Sequence, residues 1–178
     1  IDHPTVKSIF QANLELFITE LYDKKSPFVI LGIGTDRSTG DSLGPLVGSK
    51  LQSMNINNVN IYGTLDEPVH AVNLEDTIQK INRKFNNPFI LAVDACLGRP
   101  ESVGYLNIKE GGLKPGSGVN KDLPSIGNMN IIGIVNTGGF MEYMVLQNTR
   151  LSLVMNMADI IANGIKNVIS PVDMVSNF

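Results

Sequence analysis

Two aspartates, Asp41 and Asp94, each stand just past an apolar run, and this placement is the strongest chemical signal in the chain. A carboxylate beside a buried strand is costly unless it is solvated, paired or employed. If the two strands are neighbours, both carboxylates face one crevice. They then cannot both ionise easily, so one pKa rises and the pair can hold a proton between them. Such a pair activates water with one member and protonates a leaving group with the other. A plainer reading stays open: Asp41 and Asp94 are unrelated helix caps, a common use of Asp.

His70, in the stretch Leu65-Asp66-Glu67-Pro68-Val69-His70, also follows a short strand and can face the same site. A lone histidine is more often a surface or structural residue, so its role is secondary. Cys96 lies two residues beyond Asp94. A nucleophilic thiol needs a base and an electropositive setting, and Asp94 beside it argues against an easily formed thiolate.

These residues depend on the element that carries Asp41. Residues 28–31 (FVIL) form a continuous apolar run, as expected of a strand covered on both faces of a parallel sheet, and Gly32 and Gly34 end it. The polar loop that follows includes Asp36 and Asp41. A helix is expected over 43–54, with Leu43, Leu46, Val47 and Leu51 on one face and Pro45 in its first turn. Asp41 would then sit at the helix N-terminus and the carboxyl end of a strand, where open α/β sheets place their sites. Neither common glycine loop fits. Arg37 stands where the third glycine of a dinucleotide fingerprint belongs, and Asp41 stands where the lysine of a P-loop belongs. An acid among helix N-terminal donors repels phosphate, so the loop is built to present a carboxylate.

The remaining pattern alternates. Helices are expected over 5–24 and 73–85, strands over 59–64, 89–93, 103–108 and 129–137, and a helical pattern from 140 onward. Residues 111–124 are too rich in glycine and proline for either element and form a long loop, whose Lys114 and Lys121 can bring positive charge toward the carboxylates. Met141, Met144, Met155 and Met157 read as core filler. The alternation implies an α/β protein, a three-layer α/β/α sandwich with a mostly parallel central sheet, and the 178 residues fit one domain over 1–178.

The net charge of −3, with acids and bases mixed, leaves no electrostatic footprint for direct nucleic-acid binding. No apolar run reaches bilayer length and no signal peptide is visible, so no membrane partner is expected. The single cysteine excludes an internal disulfide and fits a reducing, cytoplasmic compartment. The chain opens without Met, and residues upstream are expected.

Taken together, Gly32-Ile33-Gly34, Asp41-Ser42-Leu43-Gly44-Pro45, Val93-Asp94-Ala95 and the glycine-rich segment 111–121 resemble the germination protease family, and most nearly its smaller sporulation-protein relatives. The segment GLKPGSGVNK is the most specific piece, and the strand-loop-helix piece also resembles the hydrogenase maturation endopeptidases. The resemblance covers about residues 28–140. It implies a phosphorylase/hydrolase-like fold and an atypical aspartate-dependent endopeptidase, with the two functional aspartates at Asp41 and Asp94. In the hydrogenase endopeptidases a histidine downstream of the second acid helps bind nickel of the substrate. No histidine follows His70 here, so that metal set is incomplete.

The function expected is a sporulation-associated endopeptidase, cytoplasmic in mother cell or forespore, in which Asp41 and Asp94 activate water and no cofactor or metal is required. Gly34, Asp36, His70, Lys114, Gly116, Ser117 and Gly118 are the accessory or substrate-binding candidates, with backbone N–H groups of Gly34 and the 112–118 loop as oxyanion donors. The partner is a protein or peptide, with the small acid-soluble spore proteins as the substrate class to test, and exposed helix pairs leave room for a homo-oligomer. The alternatives are a non-catalytic sporulation protein binding a partner or small ligand on the same fold, and a metal-dependent hydrolase using Asp41, Asp94 and His70.

Overall fold

Every residue of β1 (Phe28–Gly32) is buried in the computed structural model, which describes residues 1, 3–113 and 125–172. The alternation of its side chains gives the reason. Phe28 and Ile30 enter a larger core with helices α1 (Val6–Leu21), α2 (Leu43–Ser53) and α5 (Leu151–Val172), whereas Val29 and Leu31 enter a second core with α3 (Leu74–Lys84). A strand covered on both sides needs apolar side chains in both directions, hence the unbroken run.

With β2 (Val59–Tyr62), β3 (Phe89–Gly98), β4 (Leu106–Glu110) and β5 (Met129–Thr137), β1 forms a five-stranded sheet in the order β2-β1-β3-β5-β4. All neighbours run parallel except β4 and β5. The architecture is therefore the expected three-layer α/β/α sandwich with a mostly parallel sheet. From β1 the chain passes through α2 to β2 on one side, then through α3 to β3 on the other. The strand order reverses between β1 and β3, the point at which open α/β sheets form a crevice at the carboxyl ends.

α1 and β2 end two to three residues before the expected 24 and 64, and three further elements differ from the sequence expectation. β3 does not stop at Val93 but runs to Gly98, because β5 is long enough to pair with it throughout, from Leu91 with Met129 to Gly98 with Thr137. β4 begins at Leu106 rather than at 103, since residues Pro100–Ser102 form a 3-10 turn and Gly104 takes a φ of 90°. The helical pattern from 140 breaks into α4 (Glu142–Gln147) and α5. At the break, Thr149 Oγ1 donates to Val145 O at 2.9 Å and Asn148 Nδ2 to Met144 O at 2.8 Å. The Thr149 hydroxyl thus takes the Val145 carbonyl that the Thr149 N–H of a continuing helix would have used, and that N–H turns to Leu146 O at 3.3 Å. Met157 is buried as expected, but Met141 and Met144 are about half exposed and do not fill the core.

Among the described residues, no helix is long and apolar enough to cross a membrane. The expectations at Lys114, Gly116, Ser117, Gly118 and Lys121 lie outside the described residues.

Candidate active site

Three successive amides fold the loop after β1 back on the sheet. Ile33 N–H donates to Val93 O at 2.8 Å, Gly34 N–H to Val69 O at 2.8 Å, and Thr35 N–H to Asp41 O at 3.0 Å. Gly34 has φ 136°, and a Cβ there would strike the carbonyl oxygen of Asp41, so only glycine permits this closure. A 3-10 turn, Thr39–Ser42, then presents Asp41, with Asp41 N–H donating to Ser38 O at 3.0 Å. Ser42, not Asp41, is the N-cap of α2. The plain capping role weighed for Asp41 is therefore not the one it occupies. Gly44, in the first turn of α2, lies against the backbone of Ile33, and an added Cβ would also come 2.8 Å from Val93 O. This close docking fixes the height of Asp41 above the strands.

Asp94 is placed inside β3, opposite Ile132 of β5, rather than after the strand end. On its other side, the β1 pairing ends with Gly32 opposite Val93. Asp94 is thus the first β3 residue past the paired part of β1, at the mouth of the crevice between them. It is 9% exposed, and its Oδ1 accepts the Ala95 N–H at 2.8 Å.

Burial raises the pKa of Asp94 to about 8, and the negative charge of Asp41 adds to the effect. Burial also raises Asp41, to about 6, opposed by a hydrogen bond from the Thr35 backbone and by the nearby His70. The same fold thus gives two carboxyl groups that sense each other and hold their protons to different pH. At neutral pH, Asp41 is mostly ionised and Asp94 mostly protonated.

His70 follows β2 and reaches the crevice because Val69 pairs with Ile33 as an isolated bridge. Its Nδ1 accepts the Val72 N–H at 3.3 Å. In the neutral ring this leaves Nε2 as the protonated nitrogen, able to donate. Asn73, which the sequence reading passed over, holds this loop: its Oδ1 accepts His70 N–H at 2.8 Å and its Nδ2 donates to Pro68 O at 3.0 Å. An asparagine at a helix start commonly makes such local bonds, and that was the available signal. Thr35 was also missed as the partner of Asp41.

The other candidates are placed differently. Asp36 is exposed, its Oδ1 accepting from Thr35 Oγ1 at 3.4 Å. Gly34 is not a free oxyanion donor, because its only N–H already bonds Val69. Cys96 is half-buried, and burial together with Asp94 pushes its thiol pKa up, against a nucleophilic role. Among the described residues, no three His, Cys, Asp or Glu side chains converge into a set able to hold a metal ion.

The fold is shared with a solved structure, the NiFe hydrogenase maturation protease HycI of Thermococcus kodakarensis KOD1, with a TM-score of 0.59 and 20% identity over 88% of this chain and 97% of that one. At that identity the likeness shows the fold alone. In sequence, the chain is 62% identical over 139 residues to YyaC of Bacillus subtilis (strain 168), described as an uncharacterized protein, covering 78% of this chain and 68% of YyaC. A family model described as protein of unknown function (DUF1256) matches residues 2–164, and the chain belongs to that family.

Proposed function

We propose that this chain is an endopeptidase in which Asp41 and Asp94 together activate water. The observation that carries the reading is that Asp94 stands just past the paired part of β1 within reach of the charge of Asp41, both carboxyl groups being raised above their ordinary pKa by burial. The protease fold supports it.

In the first step Asp41 accepts a proton from water as the water oxygen bonds to the scissile carbonyl carbon. Asp94 donates its proton to the carbonyl oxygen, which gives a neutral tetrahedral diol. This route needs no donor from Gly34, whose N–H is already engaged. In the second step the C–N bond breaks, Asp41 passes its proton to the departing nitrogen, and Asp94 recovers one from the diol. Both groups end as they began. His70 is a positioning residue beside Asp41, and in its protonated form it favours the ionised form of Asp41.

The substrate class we infer is protein, with the small acid-soluble spore proteins as the first members to test. The motif resemblance to the germination protease supports this assignment and a role in sporulating cells. The deciding experiment incubates small acid-soluble spore proteins with wild type and with Asp41→Asn after metal chelation, read by mass spectrometry. Cleavage by wild type alone is the expected result. Cleavage by both overturns the aspartate mechanism, and cleavage by neither moves the weight to a non-hydrolytic binding role.

A further inference from the structure

A second feature stands at the same end of the sheet. β5 is parallel to β1 and β3, so the segment that follows it, residues 138–148, emerges on the side where Asp41 and Asp94 lie. Four large apolar side chains within five residues face solvent there. Phe140 is 91% exposed and Tyr143 71%, with Met141 and Met144 near half. A cluster of this kind on a monomer marks an interaction site rather than ordinary surface.

The cluster borders a shallow cleft of about 500 Å³ lined by Thr137, Phe140, Met141, Met144, Val145 and Asn148, among others. Apart from the Glu142 carboxylate beside Gly138, the lining is uncharged, so the complementary occupant is an uncharged, apolar side chain. Methionine suits side chains of differing shape, because its thioether chain is unbranched and flexible.

The cleft is built into the catalytic layer. Gly138 N–H donates to Gly98 O at 2.7 Å, and Asn136 Nδ2 donates to both Val145 O at 3.3 Å and Thr149 Oγ1 at 3.2 Å. α4 rests on the 3-10 turn that carries Asp41: a Cβ on Gly40 would come 2.8 Å from Leu146 Cδ2. Met141 takes a left-handed φ of 59°, uncommon for a non-glycine residue, at the apex of the segment. Its neighbour Phe140 is held outward while the base of the segment is bonded to β3.

The position has a length scale. Gly98, which anchors the segment, is four residues beyond Asp94 on β3, roughly 13 Å along an extended strand. An extended substrate with its scissile bond at Asp94, running alongside β3 toward Gly98, would reach the base of the cleft about four residues away.

From these placements, and resting on the peptidase reading, we propose that the Thr137–Met144 cleft is a substrate subsite that selects a large apolar side chain of an extended polypeptide about four residues from the bond that is cut. It gives the substrate class a recognisable mark: unfolded or loosely folded protein with an aliphatic, methionine or aromatic residue at that spacing.

The test separates this subsite from the chemistry. A displayed library of random short peptides is selected on the Asp94→Asn chain, and in parallel on the same chain carrying Phe140→Ser and Met144→Ser. The expected result is enrichment of Leu, Met or Phe at one fixed position on the first chain, lost on the second. The selected peptides should bind the second chain about tenfold more weakly. Both altered side chains face solvent, so the thermal midpoint should hold, and Phe140→Ser alone serves if the double variant folds poorly. No fixed apolar position, or the same enrichment with the cluster altered, overturns the subsite. The selected peptides are then given to wild type. Peptides that bind through the cluster but are never cut sink the peptidase reading and leave the cleft as an apolar-peptide site. Peptides cut equally well by wild type and by Phe140→Ser with Met144→Ser sink the subsite and leave the peptidase standing.

Discussion

The N–H of Gly34 donates to the carbonyl oxygen of Val69 at 2.8 Å, and this bond draws the loop carrying Asp41 against the loop carrying His70. Two segments separated in sequence by the whole of α2 and β2 thereby share one crevice. The consequences are chemical and can be measured.

The two carboxyl groups set the pH profile. With Asp41 raised to about 6 and Asp94 to about 8, kcat/KM should form a bell whose limbs belong to the pair. Below the lower limb both groups are protonated and no base remains; above the upper limb both are ionised and no acid remains. A flat profile between mildly acidic and mildly alkaline pH would refute the assignment.

Replacing either acid by Asn should lower kcat by at least about a hundredfold, with the fold kept. The check is cleavage followed by mass spectrometry beside a circular dichroism spectrum of each variant.

Stability should move in the opposite sense to activity at Asp94. Its folded pKa lies above the ordinary 3.8, so across the interval up to about 8 the folded chain holds a proton that the unfolded chain has lost. Stability therefore falls as pH rises through that interval and levels off above it. Asp94→Asn has no proton to lose, so its thermal midpoint should exceed that of wild type at alkaline pH. For a chain of this size each kcal/mol amounts to roughly 2–4 °C. Equal midpoints for both chains at alkaline pH would show that Asp94 is not buried as described.

His70→Gln removes the positive charge that a protonated His70 brings beside Asp41. The acidic limb of the bell should therefore shift toward neutral pH, and by more than the alkaline limb moves. A profile unchanged on both sides would separate His70 from the site.

Gly44→Ala should destabilise the chain by about 1–3 kcal/mol, because a Cβ there meets backbone rather than a yielding side chain. Urea unfolding gives the value. Wild-type stability would mean that α2 does not dock against Ile33 and Val93.

Much of this arrangement was legible in the sequence, for identifiable reasons. The unbroken run at 28–31 announced a strand covered on both faces, and the apolar spacing at Leu43, Leu46, Val47 and Leu51 announced α2. The position of Asp94 was harder to read. Its polarity suggested that the strand ended at Val93, whereas pairing with β5 carries β3 on to Gly98, and no local pattern reports on that partner. The engagement of Gly34 was hidden for the same reason, since its acceptor, Val69, is 35 residues away. Phe140, Met141, Tyr143 and Met144 continue a helical hydrophobic pattern in the sequence, whereas in the structure Phe140 and Met141 lie in the turn before α4 and all four side chains face solvent at least in part.

At the far side of the sheet, β2 has four residues and, among the described residues, one strand neighbour. It is bracketed by Asn58 at φ 58° and Gly63 at φ 79°, so the backbone curls away at both ends. An edge this short and bent offers few consecutive groups for another strand to grip, which guards against sheet-to-sheet aggregation. If copies of this chain associate, the geometry of β2 favours joining through helices or loops over extending the sheet.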